Sequence, residues 1–226
     1  MRTHTLGRLT LTLPTLDDLP PAVPLTTDKD THLDFHYTGS APRTLHLDGA
    51  RLISGRITGL ATHHTQLHNT RLDGVEFTDC DLGSLHWTDS TLTHTVFRDC
   101  TLTGARLDRL TLDNVLFENC ALDYATLHHL RATGPLALVK CDLTEAAVHH
   151  CDFTNAHLEA CGLHHTTFTA GTYHHTDLRG NDLSTLRGAM ALKAAIIDRP
   201  QHPELTHALT TELNPTFPDT LDDYER

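Results

Sequence analysis

Between Val75 and Leu127 a large apolar residue recurs at every fifth position: Phe77, Leu82, Trp87, Leu92, Phe97, Leu102, Leu107, Leu112, Phe117, Leu122 and Leu127. Two places before each stands a smaller or more modest residue, among them Val75, Cys80, Ser90, Thr95, Cys100, Ala105 and Cys120. A period of five fits neither the 3.6 of a helix nor the 2 of a strand. Sustained fixed periods belong to repeat architectures, in which each unit packs on its neighbours. A second period lies over the first: Phe77, Phe97 and Phe117 are twenty apart, and so are Cys80, Cys100 and Cys120. Four units therefore make one turn of a square coil, with like residues stacked from turn to turn. The central residue of each side and the residue two before it point inward. The other three positions, mostly Thr, Asp, His, Gly, Asn and Arg, form the corner and the outer wall.

Units such as CDLGS (80–84), ARLDR (105–109), CALDY (120–124), CDLTE (141–145), CDFTN (151–155) and TDLRG (176–180) resemble the A-(D/N)-L-x-x motif of the pentapeptide-repeat family. The resemblance covers roughly residues 45–197 and implies an all-β solenoid, a right-handed quadrilateral β-helix. The expected organisation is an N-terminal cap with short strands over 1–44, the β-helix over 45–199, and a C-terminal helix with a tail over 200–226.

The register of central residues runs from Leu47 through Leu127 to Ala132, with Thr62 a weak member. It slips by one residue in RATGPLAL, where Gly134-Pro135 marks a turn or bulge, and resumes from Leu138 to Leu183. That makes about seven coils, a rod of roughly 34 Å at a rise of about 4.8 Å per coil. In the N-terminal segment RLTLTL (8–13) and HLDFHY (32–37) alternate like strands, while Pro14, Pro20, Pro21 and Pro24 break what lies between. Both strands are expected over the open edge of the first coil. After Leu183, Leu192 and Ile197 continue the period of five, which favours a last half-coil over a helix. PELTHALTTELN (203–214) then places Leu205, Leu209 and Leu213 on one helical face, and TFPDTLDDYER reads as a loose tail.

All six Cys (80, 100, 120, 141, 151, 161) occupy the small inward position, which reads as core packing rather than a metal or redox site. Parallel side chains about 4.8 Å apart also exceed the disulfide Cβ range. Reduced thiols imply a cytoplasmic protein. No apolar run approaches the roughly 20 residues of a membrane span, and the first residues lack the apolar stretch of a signal peptide. The formal net charge of −12 argues against nucleic acid or an anionic membrane surface as partner and allows a basic one. Protonation of the 20 His would erode that charge between pH 7 and pH 5.5.

No nucleophile elbow, phosphate loop or CxxC is present, so no catalytic residue, cofactor or metal is assigned. Five His-His pairs (63–64, 128–129, 149–150, 164–165, 174–175) fall on outward corners. Pairs 128–129 and 149–150 stack on adjacent coils, where four imidazoles admit a metal reading beside the plainer one of a turn-tolerant polar corner. Asp73 and Asp113 share a corner, as do Asp79, Asp99 and Glu118, and Asp123 lies on a further one. Such rows imitate DNA phosphates or simply solvate the wall, and Arg98, Arg109 and Lys140 interrupt them. The chain is most similar to the branch of the family associated with fluoroquinolone resistance and self-protection from topoisomerase poisons. That resemblance implies a homodimer joined through Leu205, Leu209 and Leu213, with DNA gyrase or another type II topoisomerase as partner. The alternative is a non-enzymatic scaffold or interaction module with an unrelated partner.

Overall fold

The computed structural model describes residues 1–23, 31–39 and 43–216, and Pro24 and most of the C-terminal tail lie outside them. The chain winds into the quadrilateral parallel β-solenoid of about seven coils that the repeat pattern implies. One sheet runs along the first face, from Thr44–Asp48 to Thr167–Thr169. Longer strands such as Thr91–Arg98 and Thr111–Glu118 turn from the second face into the third and form the other sheet. The fourth face is held by isolated parallel bridges, Ala61 to Asp81 to Thr101 to Ala121 to Asp142 to Gly162.

The corners explain the residue types around them. Two positions after nearly every central residue the backbone turns left-handed, as at Asn69, Asp89, Arg109, His129 and His150 on one corner and Asp79, Asp99, Asn119 and Lys140 on another. Asn, Asp, His and Gly are the residues that visit this region most readily. The coil-to-coil ladder continues through the corner, for the amides of Asp79 and Asp99 donate to the carbonyls of Arg98 and Glu118 at 3.1 Å.

Inside, the register holds. Phe77, Phe97 and Phe117 stack with ring centres 4.8 and 4.7 Å apart and planes within 9°. Five of the six Cys form a neighbouring ladder in which each thiol donates to a carbonyl one coil back, for example Cys120 Sγ to Phe97 O at 3.5 Å. All six are buried free thiols, and burial pushes Cys151 up to about 12. Inward polar residues pair among themselves: Thr62 with Thr65, and Trp87 Nε1 donating to Thr70 Oγ1 at 2.9 Å. This pairing is what lets Thr62 stand in an apolar stack. Space lined by Trp87, Phe97, Leu107 and Phe117 amounts to about 20 Å³, room for about one water and no ligand.

The slip at Gly134-Pro135 is a bulge. Leu112 pairs with Ala132 and Val115 with Leu136, so the later strand carries one residue more between the same partners. A Cβ on Gly134 would lie 1.8 Å from Asp113 Oδ1, which is why glycine occupies the bulge.

The two N-terminal strands form but do not lie together over the open edge of the first coil. HLDFHY falls within β3 (Thr31–Thr38), which joins the solenoid itself, with Tyr37 on Ile57 and His32 on Leu52. RLTLTL belongs to β2 (Leu9–Leu13), which pairs antiparallel with β1 (Arg2–Leu6). This hairpin docks midway along the outside of the third face, with Leu11 and Leu13 buried on Val96, Leu116, Ala137 and Val139. Thr12 N donates to Asn114 Oδ1 at 2.6 Å. The cause is legible once the coils are folded: those four positions point outward, where other coils carry Arg56 and Glu76 or Asp177 and Arg179. An apolar patch on the wall needs cover, and a lone hairpin needs a surface.

At the other end the solenoid continues through a last half-coil. Ile196 bridges Asp177 and Leu192 is buried, with short 3-10 turns at Ala189–Ala191 and Arg199–Gln201. Helix α1 (His202–Leu213) then covers the open end. Ala208 is buried, and Leu205 and Leu209 pack on the core. Glu204 accepts from the amide of Leu183 at 3.0 Å and Glu212 from that of Ala189 at 3.1 Å. Gln201 Nε2 donates to Leu178 O and Asn181 O. Amides and carbonyls left without a next coil are thereby satisfied.

Phe97→Ala removes the middle ring of the stack and should cost about 3–5 kcal/mol, whereas exposed Thr101→Ala should stay within about 0.5 kcal/mol; thermal melts compare them. Leu11→Ala should loosen the hairpin alone. Limited proteolysis should then cut within the first thirty residues while the Phe97 core keeps its melting temperature.

Candidate functional surface

Outward positions are occupied unequally around the coil. The fourth face and its two corners carry Asp79, Asp81, Asp99, Asp123, Asp142, Glu145 and Asp182, interrupted by Lys140. The second face, opposite it, carries exposed Arg51, Arg71 and Arg131 together with Asp73, Asp113 and Asp152. The fourth face is therefore the acidic side of the rod while the second carries both signs, which net charge alone does not reveal.

The six acidic residues singled out from the sequence separate into three settings. Asp79 and Asp99 are exposed at left-handed corner positions on adjacent coils, at φ 53° and 54°. Asp123 closes the other edge of the same face and accepts from Thr103 Oγ1 at 2.8 Å. These three bracket the fourth face. Glu118 looks out from the third face and is bound to Arg98 Nε at 2.9 Å, in a ladder that runs Arg56, Glu76, Arg98, Glu118. Asp73 and Asp113 lie on the far corner. Asp73 meets His94 Nδ1 at 3.0 Å, and Asp113 accepts from Asn114 at 2.8 Å beside the bulge at Gly134.

Asp81, Asp142 and Glu145 complete the acidic face and were not singled out. Asp81 and Asp142 sit immediately before a central leucine, where Asp Oδ1 accepts the amide two residues on: Gly83 at 3.2 Å, Thr144 at 2.9 Å. The same turn recurs at Asp182 with Ser184, and hydrogen bonds from Ser184 hold Asp182 below the usual carboxylate range. These carboxylates serve the turn with one oxygen and solvent with the other. The D of the five-residue motif was the available signal.

On the corner between the first and second faces, Asp108, His128 and His129 come together, and the ring of His150 stacks on that of His129 at 5.1 Å. Of the three apolar helix residues, Leu205 and Leu209 face their own last coil while Leu213 is 71% exposed. No helix among the described residues is long and apolar enough to cross a membrane.

The family model for pentapeptide repeats matches in eight copies, at residues 76–112 and 88–119. No curated protein matches the sequence. Among solved structures, full-length QnrB1, a plasmid-mediated fluoroquinolone resistance protein, is 15% identical, with 75% of this chain and 99% of QnrB1 covered and a TM-score of 0.41. A trypsin-treated form of QnrB1 is 14% identical over 79% of this chain and 97% of that one, also at 0.41. HetL, a pentapeptide-repeat protein involved in heterocyst differentiation regulation from the cyanobacterium Nostoc, is 16% identical over 73% and 86%, at 0.23. The matched units sit in the register that the solenoid keeps on either side of them, so residues 76–119 are pentapeptide repeats of that family.

Proposed function

We propose that this chain is a non-catalytic binding protein whose acidic fourth face occupies the basic DNA-binding surface of DNA gyrase or another type II topoisomerase. It acts there as a DNA mimic in the cytoplasm and protects the enzyme from a topoisomerase poison. The observation that carries this reading is the acidity of one face: Asp79, Asp81, Asp99, Asp123, Asp142 and Glu145 share the fourth face with Lys140 as its one lysine or arginine, while the second face mixes Arg51, Arg71 and Arg131 with Asp73, Asp113 and Asp152. Carboxylates repeating at the coil rise of about 4.8 Å present a regular negative field to a basic cleft. Six buried free thiols support a reducing compartment.

Asp79→Asn, Asp99→Asn and Asp123→Asn combined remove three charges while keeping side chains that tolerate these corners. The triple variant should inhibit gyrase supercoiling about tenfold more weakly than the parent with a nearly unchanged melting temperature. The parent's effect should decline with added salt, and also from pH 7.5 to pH 6, because protonated histidines reduce the negative charge. No inhibition and no protection against a quinolone at tens of micromolar protein would end this reading.

The second reading, a scaffold for an unrelated partner, draws on the turn-closing role of Asp81 and Asp142 and on the ion pair that occupies Glu118. It predicts a protein inert toward gyrase in the same assay.

The homodimer belongs to this proposal. With Leu205 and Leu209 turned inward, the apolar groups offered at the helix end are Leu213 and Met190, flanking the contact of Glu212 with Ala189. Leu213→Asp should convert a dimer to a monomer in analytical ultracentrifugation without lowering the melting temperature. A dimer that survives the substitution places the interface elsewhere.

A further inference from the structure

We propose that the corner between the first and second faces binds one divalent transition-metal ion of the zinc type on Asp108, His128 and His129. Each offers one donor atom, and the three lie within 4.8 Å of one another. His128 Nδ1 is 3.0 Å from Asp108 Oδ1, His129 Nδ1 is 3.2 Å from His128 Nδ1, and His129 Nδ1 is 4.0 Å from Asp108 Oδ1. A tetrahedral ion with bonds of about 2.0–2.2 Å separates its ligand atoms by about 3.4 Å. The triangle surrounds that value on all three sides, so small side-chain adjustments admit the ion. Its fourth position faces solvent. Two imidazole nitrogens and one carboxylate oxygen suit zinc, cobalt, nickel or copper, whereas magnesium and calcium require shells of oxygen.

The fold builds this triangle rather than leaving it to chance. Asp108 and His128 occupy the same slot on adjacent coils and are backbone partners. His129 is left-handed at φ 51°, which turns two consecutive side chains onto one corner, with ring centres 4.0 Å apart. Arg109 Nη1 contacts Asp108 Oδ2, leaving Oδ1 toward the histidines. The guanidinium is itself held by Asp89, Nε to Oδ1 at 2.6 Å and Nη2 to Oδ2 at 2.9 Å, so its charge is balanced beside the site. A carboxylate oriented by an outer partner is a recurrent feature of metal sites. His150 stacks on His129 and limits its ring rotation. The bound ion would staple two adjacent coils just before the bulge at Gly134.

The experiment uses the untagged full-length chain, stripped with chelator and titrated with zinc by calorimetry and with cobalt by visible absorption. The expected result is one equivalent per chain, a tetrahedral cobalt spectrum without thiolate charge-transfer bands, and a higher melting temperature with zinc. Asp108→Asn and His129→Asn should each weaken binding at least about tenfold, while both metal-free variants melt as the parent does. Asn is chosen at position 129 because it accepts the left-handed corner; should that variant misfold, Asp108→Asn alone decides. His174→Asn with His175→Asn, the control pair, should bind like the parent. Absence of stoichiometric uptake, full affinity in Asp108→Asn, equal loss in the control, or thiolate bands would each overturn the proposal.

Discussion

A left-handed residue two places after nearly every central position is the constraint on which the solenoid depends. Without that turn the chain would run on as a strand, and four sides could not close around a core one or two side chains wide. The turn also selects what appears outside. Non-glycine residues tolerate this backbone unequally, with Asn, Asp and His enriched, and those are the residues that line the corners here: Asn69, Asp89, His129 and His150 on one, Asp79, Asp99 and Asn119 on another. Histidines such as His129 and His150 and aspartates such as Asp79 and Asp99 thus share a conformational setting. Function is laid over residues that geometry had already favoured.

The same regularity leaves the structure with exposed ends and a patchy wall, and its irregular parts answer to those. Helix α1 sets Glu204, Glu212 and Gln201 against amides and carbonyls that a further coil would have used. On the flank, the hairpin of β1 and β2 covers Val96, Leu116, Ala137 and Val139. Beside it the wall reverts to charge, with Glu76 almost buried between Arg56 and Arg98. Removing either arginine would take a partner from the nearly buried Glu76, so this ladder is better read as sealing the hairpin's margin than as a binding surface.

Periodicity made the core legible to the residue, because a period of five leaves a single choice of inward positions and the slip at Gly134-Pro135 announces its own bulge. What periodicity does not encode is reach between slots. The apolar outward residues Val96 and Leu116 were visible in the sequence, yet what covers them comes from over eighty residues away. The repeat places the histidine pairs on their corners but does not by itself mark the carboxylate that completes a triangle with His128 and His129. Asp108 lies twenty residues earlier in the very slot His128 occupies, so comparing like slots on successive coils would have found it. The helix face of Leu205, Leu209 and Leu213 was read as one surface, but the last coil takes the first two for its own end and leaves the third outside.

The acidic face poses a choice between geometry and binding, and the corner slot itself helps to decide it. Running along one edge of the fourth face, that slot holds Gly59, Asp79, Asp99, Asn119, Lys140, Ala160 and Gly180 in successive coils, all left-handed. The turn is thus served by glycine, an amide, a base and alanine as well as by carboxylates. Nothing in the conformation requires Asp at two adjacent coils, where the charges repel across about 4.8 Å. Asn at both would keep the turn and remove the repulsion. A solenoid that needed only its shape would gain by that exchange, and retaining both charges is a cost to the isolated rod. On the proposed function, a basic surface brought against the fourth face would offset that cost.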